Sequence, residues 1–377
     1  MFGKRIHLFS LKGFEVGIDL SWVIIAVLVA WSLSTGFFPF RYKNLGASTY
    51  WIMGIVGAIG LFLSIIVHEF AHSLVARKFG LPVKSITLFI FGGVSEMTEE
   101  PSGPGAELAI AIVGPLSSFA IAAAFYGIYL ATQGGPLPVS VNAVVAYLAL
   151  INALLGGFNL IPAFPLDGGR VLRSILWKIH GDLKKATRTS SRVGAGFGIA
   201  LIILGVLNVV GGNLIGGMWY VLIGLFLRGA ANMSYQQTII RRALRGEKVS
   251  RFMKTDPVTV PLDATIQDLV ENYMYRFHHK LYPVSADGGR LAGCITSAEV
   301  KDLPRERWAE TQVRDIASAC STENTIRPDA DALEALSLMS RTGKSRLLVT
   351  EGENLVGVIT MKDLMGFLSM KLELDQD

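Results

Sequence analysis

The stretch LFLSIIVHEFAHSLVARKFG, residues 61–80, determines which kind of fold this sequence can adopt. It is apolar and helix-like over most of its length, as a membrane span is, and it ends in a basic pair at 77–78. Three ionisable side chains, His68, Glu69 and His72, interrupt the apolar run. Ionisable groups inside a membrane span are costly and usually functional. The stretch therefore predicts a membrane helix that carries a functional site.

The charged residues divide the chain into two parts. The first 232 residues contain 25 charged side chains, about 11%, and the remaining 145 contain 40, about 28%. Since a soluble domain averages about 25% charged residues, only the second part has a soluble composition. We predict a transmembrane domain at 1–232, a linker at 233–248 and a soluble domain at 249–377. This division excludes a single globular domain, a disordered chain and a fibrous repeat.

The transmembrane part is expected to be a polytopic helical domain. A spanning helix needs about 20 mostly apolar residues, and tryptophans lie near several of the proposed span ends, as is common at membrane interfaces. The basic N-terminus lacks a continuous apolar run with a small-residue cleavage site, so no cleaved signal peptide is predicted. Six spans are predicted, at 18–36, 52–76, 107–131, 140–161, 193–210 and 214–231.

The basic residues predict the orientation of these spans. The net charge is +7 before residue 233 and −2 after it, and the surplus lies mainly in alternate connections. The positive-inside rule then places both termini and the soluble domain in the cytoplasm of a multi-pass cell-membrane protein. Because span-flanking residues explain the surplus, no nucleic-acid partner is expected. Cys294 and Cys320 allow at most one disulfide, which suits a reducing compartment.

The ionisable residues of the second span have the spacing of a metal site. His68 and His72 lie one turn apart on one helix face, so both imidazoles can bind one Zn²⁺. Glu69 is placed to accept a proton from a water molecule on the metal. A pair of histidines that hydrogen-bond across helices is the alternative. The HExxH spacing within an apolar helix favours zinc.

A catalytic zinc ion requires a third protein ligand and keeps one position open. The other histidines lie outside the predicted spans, which favours a carboxylate, Asp167 in FNLIPAFPLDGGR (158–170). Pro162 and Pro165 prevent regular helix there, and irregular backbone at membrane depth must be buried in protein or line a cavity. We predict Asp167 as the third ligand of one zinc ion per chain. The alternative is a turn in which Asp167 pairs with Arg170.

These residues resemble the site-2 protease family of intramembrane zinc metalloproteases. The resemblance covers most of residues 50–232, and the order and spacing of its motifs are specific. It rests on four pieces: HEFAH (68–72), FGG (91–93), Gly114–Pro115 and FNLIPAFPLDGG (158–169).

The resemblance implies an enzyme that hydrolyses peptide bonds in or near transmembrane segments of membrane-anchored proteins, within the lipid bilayer. It implies that the two histidines and Asp167 bind zinc and that Glu69 is the general base. It also places Asn159 near the scissile carbonyl as a donor to the oxyanion, with a polar contact between helices as the alternative. The segment LFIFGGVSEM (88–97) would offer a strand edge to an unwound substrate, with a re-entrant turn as the alternative.

The soluble part contains one pattern twice, at about 249–305 and 311–370, and resembles a tandem pair of α/β CBS domains. Such pairs pack sheet to sheet and often bind adenine nucleotides. The resemblance implies ATP, ADP or AMP as a regulatory ligand at Thr360 and Asp363, since a carboxylate can accept both ribose hydroxyls. A purely structural module that forms a homodimer is the alternative. The two copies align Gly293 with Gly357, Thr296 with Thr360, and Glu299 with Asp363. The first copy departs from the family pattern, because Glu299 stands where an aspartate is usual.

Two other functions remain as alternatives to a nucleotide-regulated intramembrane protease. A CBS-regulated zinc transporter or metal-dependent membrane receptor would also need a membrane metal site. A transporter should place ionisable residues in several spans, however, whereas one cluster plus Asp167 dominates here. A non-catalytic scaffold is disfavoured because the three ligands and the base are all present.

Overall fold

The fold consists of two compact units, Met1–Gln236 and Gln237–Asp377. The first contains long apolar helices and a small sheet, and the second contains short strands alternating with helices. The computed structural model describes residues 5–11, 13–89, 92–97, 100–135, 137–286 and 290–374.

The first unit is a bundle of membrane-length helices, as the sequence predicts. Six helices in the described ranges are long and apolar enough to cross a membrane. The first of them runs from Leu20 to Arg41 and includes a π-helical turn at Leu33–Phe37. The helices are α1 (Leu20–Ser32), α2 (Phe38–Arg41), α3 (Ala47–Lys78), α4 (Pro104–Thr132), α5 (Val139–Asn159), α6 (Asp167–His180), α7 (Leu183–Val210) and α8 (Leu214–Leu244), the last of which continues into the second unit.

The last two spans are longer than predicted. The fifth was expected to begin at residue 193 but begins at Leu183, and the sixth was expected to end at 231 but continues to Leu244. The predicted spans stop where charged residues begin, because they were defined by apolar residues. Helical hydrogen bonding continues through the charged residues, so the helices are longer. Within the connection between the fourth and fifth spans lies the amphipathic helix α6, which the sequence analysis did not predict.

Glycines allow α7 and α8 to approach closely. An ideal Cβ at Gly198 would lie 2.7 Å from the Gly224 carbonyl oxygen, and one at Gly205 would lie 2.7 Å from that of Gly217. Gly198 and Gly205 are seven residues apart on α7, and Gly217 and Gly224 are seven residues apart on α8. Each helix therefore presents its two glycines on one face. Small residues at such contacts are a common basis of helix association in membranes. This packing accounts for the glycine-rich sequence of the two spans.

A four-stranded sheet lies against the bundle, and the sequence analysis missed its first strands. Its order is β1-β2-β3-β4, with β2 and β3 parallel and the other pairs antiparallel. Phe14 of the sheet packs in one core with Ala76 of α3 and Ile110 of α4. The strands are β1 (Arg5–Leu11), β2 (Phe14–Asp19), β3 (Val83–Phe89) and β4 (Gly92–Met97).

The segment 88–97, expected to form one strand, is divided between two. Its first residues end β3 and its last form β4, and Phe89 pairs with Gly92. Phe91 of the FGG motif lies outside the described residues. β4 is one of the two edge strands of the sheet, and β1 is the other.

The second unit contains two sheets, each with its own apolar core. The first sheet has the order β5-β6-β7-β8, in which the first repeat provides β5 to β7 and the second repeat provides β8. The second sheet has the order β11-β10-β9 and comes from the second repeat. The strands are β5 (Val260–Pro261), β6 (Leu281–Ser285), β7 (Leu291–Thr296), β8 (Ser318–Ala319), β9 (Thr325–Ile326), β10 (Arg346–Glu351) and β11 (Asn354–Thr360). The helices are α9 (Ile266–Asp268), α10 (Tyr275–Phe277), α11 (Ser297–Lys301), α12 (Val313–Ile316), α13 (Ala332–Thr342) and α14 (Met361–Leu374).

Both cysteines of the second unit are free. Cys294 is buried in β7 and Cys320 is exposed. Burial raises the pKa of the Cys294 thiol, and partial desolvation raises that of Cys320, so both remain protonated and weakly reactive at neutral pH.

Candidate active site

The two histidines of the HExxH motif lie together inside the bundle. Their four-residue spacing on α3 puts both rings on one face, with the two Nε2 atoms 3.2 Å apart. His68 is 4% exposed and His72 is 3% exposed. Two imidazoles are thus held side by side in an apolar interior.

Asp167 joins the histidines from another part of the chain. Its Oδ2 lies 3.0 Å from His68 Nε2 and 3.1 Å from His72 Nε2. Asp167 is the first residue of α6, so the irregular stretch before it does return the carboxylate to the bundle. We call these three residues the His–His–Asp cluster, and no other such group of three metal-binding side chains occurs among the described residues.

Two glycines allow this return of the chain. An ideal Cβ at Gly168 would lie 2.3 Å from the carbonyl oxygen of Ile161, and one at Gly169 would lie 2.4 Å from the backbone nitrogen of Phe164. Larger residues would push the start of α6 away from the preceding turn. The Gly-Gly pair after Asp167 therefore positions the carboxylate through backbone packing.

One face of α4 fixes both imidazole rings. The carbonyl oxygen of Ile110 lies 2.6 Å from His72 Nδ1, and Ser118 Oγ lies 2.9 Å from His68 Nδ1. Gly114 lies between them, and a Cβ there would be 2.2 Å from His72 Nε2. Gly114 belongs to the Gly114–Pro115 motif of the sequence, whereas Ser118 was not predicted. The four-residue steps from Ile110 to Gly114 and from Gly114 to Ser118, which put all three on one helix face, were the available signal.

The hydrogen bonds indicate that the cluster fits a cation. A carbonyl oxygen only accepts, so the Nδ1 of a neutral His72 carries the proton and its Nε2 presents a lone pair. That lone pair faces Asp167 Oδ2, which is also an acceptor. A tetrahedral zinc ion with bonds of about 2.0–2.1 Å separates its ligand atoms by about 3.3 Å. The observed separations of 3.0–3.2 Å are close to this value.

Arg170 contacts the other side of the same carboxylate. Its Nη1 lies 4.0 Å from Asp167 Oδ1, while Oδ2 faces the histidines. Asp167 therefore faces the two histidines through Oδ2 and pairs with Arg170 through Oδ1, so both arrangements considered from the sequence occur together.

Glu69 lines the same cavity as the cluster. The cavity has a volume of about 610 Å³ and is lined by α1, α3, α5, α6 and α8 together with the sheet. Glu69 is half-buried, and Gly93 of β4 packs against it, since an ideal Cβ there would lie 2.4 Å from Glu69 Cγ. The structure therefore brings the carboxylate, the cluster and the sheet edge to one cavity.

Asn159 lines this cavity as the last residue of α5. Its Nδ2 donates to the Leu155 carbonyl oxygen at 3.0 Å, within the same helix. One of its two N–H groups remains for another acceptor.

A buried ion pair, also missed from sequence, connects α6 to α4. Arg173 Nε lies 2.6 Å from Glu107 Oε1, and both residues are buried. Because Asp167 begins α6, this pair helps to hold it beside the helix that orients the imidazoles. Glu107 within an apolar span was the available signal.

The two CBS-like repeats have equivalent helix starts with different surroundings. The backbone N–H of Thr360 donates to Asp363 Oδ2 at 3.1 Å, and that of Thr296 donates to Glu299 Oε2 at 2.5 Å. Each pair stabilises the start of the following helix. Glu299 also accepts a hydrogen bond from Ser318 through Oε1, whereas Asp363 Oδ1 accepts none from the described residues. The second repeat alone keeps a carboxylate oxygen available.

Comparisons with known proteins agree with the two units. The family model described as peptidase family M50 matches residues 56–141 and 135–204, and the CBS domain model matches 249–305 and 313–370. Rip3 of Mycobacterium tuberculosis H37Rv is 36% identical over 360 residues, which cover 95% of this chain and 91% of Rip3. MJ0392 of Methanocaldococcus jannaschii, named a zinc metalloprotease, is 31% identical over 99% of this chain and 98% of its own. A solved site-2 protease from the same archaeon is 29% identical with a TM-score of 0.43, and the match covers 62% of this chain and 95% of that one.

By fold and relatives, the chain is a multi-pass membrane metalloprotease with a C-terminal pair of CBS domains. It belongs to peptidase family M50, the site-2 proteases. The predicted family, fold class and enzyme class are confirmed.

Proposed function

We propose that this enzyme cleaves peptide bonds in or near transmembrane segments of membrane-anchored proteins, with zinc held by His68, His72 and Asp167. The convergence of three acceptor atoms within 3.2 Å, inside a bundle of apolar helices, carries the proposal. Zinc in such a site supplies Lewis-acid polarisation of a carbonyl group and acidifies a water molecule. A multi-site transporter is disfavoured because the described residues contain a single cluster of this kind.

Glu69 is the proposed general base. Its carboxylate takes a proton from the attacking water and delivers it to the leaving amine. The supporting observation is that Glu69 follows His68 directly and opens to the same cavity. Asn159 is the proposed donor to the developing oxyanion, through the N–H that its own helix does not engage.

The proposed substrate segment is extended when it is cleaved. Carbonyl groups of a membrane helix are already hydrogen-bonded along the helix, which hinders attack. An unwound segment can instead pair with the edge strand β4 by strand addition. Gly93 of that strand packs against Glu69, so a peptide paired there would pass close to the base.

We further propose that the site lies near the cytoplasmic face, with both termini and the CBS domains in the cytoplasm. Five residues separate His72 from Arg77, about 8 Å along a helix. Most basic residues of the membrane unit lie in every second connection between the spans, and the positive-inside rule places these connections in the cytoplasm. Water would then reach the site from the cytoplasm.

Regulation by an adenine nucleotide at the second CBS repeat is the last part of the proposal. Asp363 Oδ1 is available to a ribose hydroxyl, and Thr360 lies at the junction of β11 and α14. The corresponding carboxylate of the first repeat is engaged on both oxygens. A homodimer formed through the CBS domains is compatible with this arrangement.

The test of the substrate class uses purified full-length protein in lipid vesicles. A single-span substrate protein should be cut within or beside its span, as located by mass spectrometry of the products. A soluble peptide that carries the same cleavage sequence should be cut far more slowly. Efficient cleavage of the soluble peptide alone would contradict the proposal.

A further inference from the structure

A second cavity of about 550 Å³ lies in the membrane unit, between α2, α4 and α5. One end of it approaches the active site, since Phe119 follows Ser118 on α4, and the other end lies at Arg41 and Ala146. Its lining on α5 runs from Ala146 to Ala153, whereas Asn159 of the active-site cavity ends that helix. Ala146 and Asn159 are 13 residues apart, about 20 Å along α5.

This second cavity is an apolar groove that opens sideways from the bundle. Alanines such as Ala123 and Ala146 form much of its lining, and tyrosines, including Tyr126, stand beside them. Tyr126 is 54% exposed and Leu150 is 46% exposed, so the groove faces the surroundings of the bundle. In a membrane, this surface meets lipid at the ends of the helices.

The groove is too small to enclose a transmembrane helix. A helix about 10 Å across would fill 550 Å³ over a length of only about 7 Å, which is less than five residues. A substrate span or a helix of a second copy could place only side chains in it. A thin, flexible chain fits this space better.

The charge at the mouth of the groove indicates which chemical group is attached to such a chain. Arg41 lines the groove, and neither it nor Lys43 forms an ion pair with any residue that the structure describes. The segments 33–60 and 119–153, which build this end of the bundle, contain no aspartate or glutamate. This end therefore carries positive charge without protein carboxylates to balance it.

We propose that the groove binds one acyl chain of an anionic phospholipid, with the headgroup phosphate at Arg41. A guanidinium binds phosphate well because its donors match the phosphate oxygens. The apolar alanine lining receives the chain, and the exposed opening allows the lipid to enter from the bilayer. This site would anchor α2, α4 and α5 to a particular class of lipid, with the phosphate at the end of the groove away from the catalytic cavity.

The test is native mass spectrometry of the purified full-length protein with phosphatidylglycerol and phosphatidylcholine of identical acyl chains. The protein should retain one phosphatidylglycerol in preference to phosphatidylcholine. Arg41→Gln should weaken phosphatidylglycerol binding about fivefold, the effect of one basic residue at an anionic lipid. Lys78→Gln, at the other end of α3, removes the same charge and should leave binding unchanged.

A second variant tests the groove itself. Ala123→Leu fills it from an exposed position, so it should release the lipid without unfolding the protein. Ala124→Leu, an exposed neighbour outside the groove lining, is the matched control. Equal lipid retention by the wild type, Arg41→Gln and Ala123→Leu would overturn the proposal. Loss of a dimer or of substrate binding in Ala123→Leu, with lipid retained, would also overturn it.

Discussion

At the residue scale, each imidazole of the cluster has a defined hydrogen-bonding partner on α4. The Nδ1 atom of His72 hydrogen-bonds to the Ile110 carbonyl oxygen, and that of His68 hydrogen-bonds to Ser118 Oγ. The Nε2 atoms of both rings therefore face Asp167. The HExxH spacing predicted the two histidines and Glu69 because neighbours one turn apart share a face. Ser118 could not be predicted in this way, since a serine in an apolar helix more often bonds to its own backbone.

Ser118→Ala should weaken zinc binding about 10–100-fold, the usual cost of removing a partner that orients a ligand histidine. Competition with a chelator of known affinity measures this without reference to activity. Ser117→Ala is the matched control, because Ser117 Oγ donates only to the Gly114 carbonyl oxygen of its own helix. An unchanged affinity in Ser118→Ala would show that the hydroxyl does not orient His68.

Gly114→Ala should abolish zinc binding while the helix remains intact. The added methyl group would lie 2.2 Å from His72 Nε2 and 2.7 Å from His68 Nε2, at the proposed position of the ion. Zinc content by atomic absorption is the measurement. Gly127→Ala on the same helix has nothing within 4 Å of its new methyl group and should keep a full complement of zinc. Normal zinc content in Gly114→Ala would place the metal elsewhere.

At the element scale, the arrangement depends on how α6 is attached. It begins with the third proposed ligand, and its Arg173 pairs with Glu107 inside the bundle. Composition predicted the apolar spans well, because length and hydropathy suffice for them. It could not predict α6 or the extra turns of α7 and α8, since these segments are helical through tertiary packing and hydrogen bonding despite their charges. The first two strands of the sheet were also missed, as β2 pairs with β3, which is distant from it in sequence.

Glu107→Gln should destabilise the membrane unit by about 3–5 kcal/mol, because it leaves the Arg173 charge buried without a counter-ion. Zinc retention should fall with it, since α6 carries Asp167. Thermal unfolding in detergent measures the first effect. The double variant Glu107→Leu/Arg173→Met removes both charges and should recover much of the loss. A single variant as stable as the wild type would show that the pair does not hold α6.

At the scale of the whole molecule, the charge distribution alone separated a membrane part from a soluble part. The repeated pattern then indicated two CBS domains, and the family models match both. The different surroundings of Glu299 and Asp363 could not be read from the alignment. They depend on Ser318, which approaches Glu299 only in the folded sheet.

ATP should change the cleavage rate through the second repeat, with ADP and AMP as alternative ligands. A tenfold effect through a population shift requires about 1.4 kcal/mol of differential affinity between the active and inactive states. Titration of nucleotide against cleavage should show the response in the wild type and lose it in Asp363→Ala. Glu299→Ala should respond as the wild type does. Identical curves for the wild type and Asp363→Ala would leave the repeats as a docking or dimerisation module.

The most direct test of the central claim compares the wild type with Glu69→Gln in lipid vesicles. Cleavage of a single-span substrate and zinc content are measured on the same preparations. We expect about one zinc per chain in both proteins. The rate should fall about 10²–10⁴-fold in the variant, because a neutral amide cannot accept the proton. Near-wild-type cleavage by the zinc-loaded Glu69→Gln protein would contradict the assignment of Glu69 and the mechanism built on it.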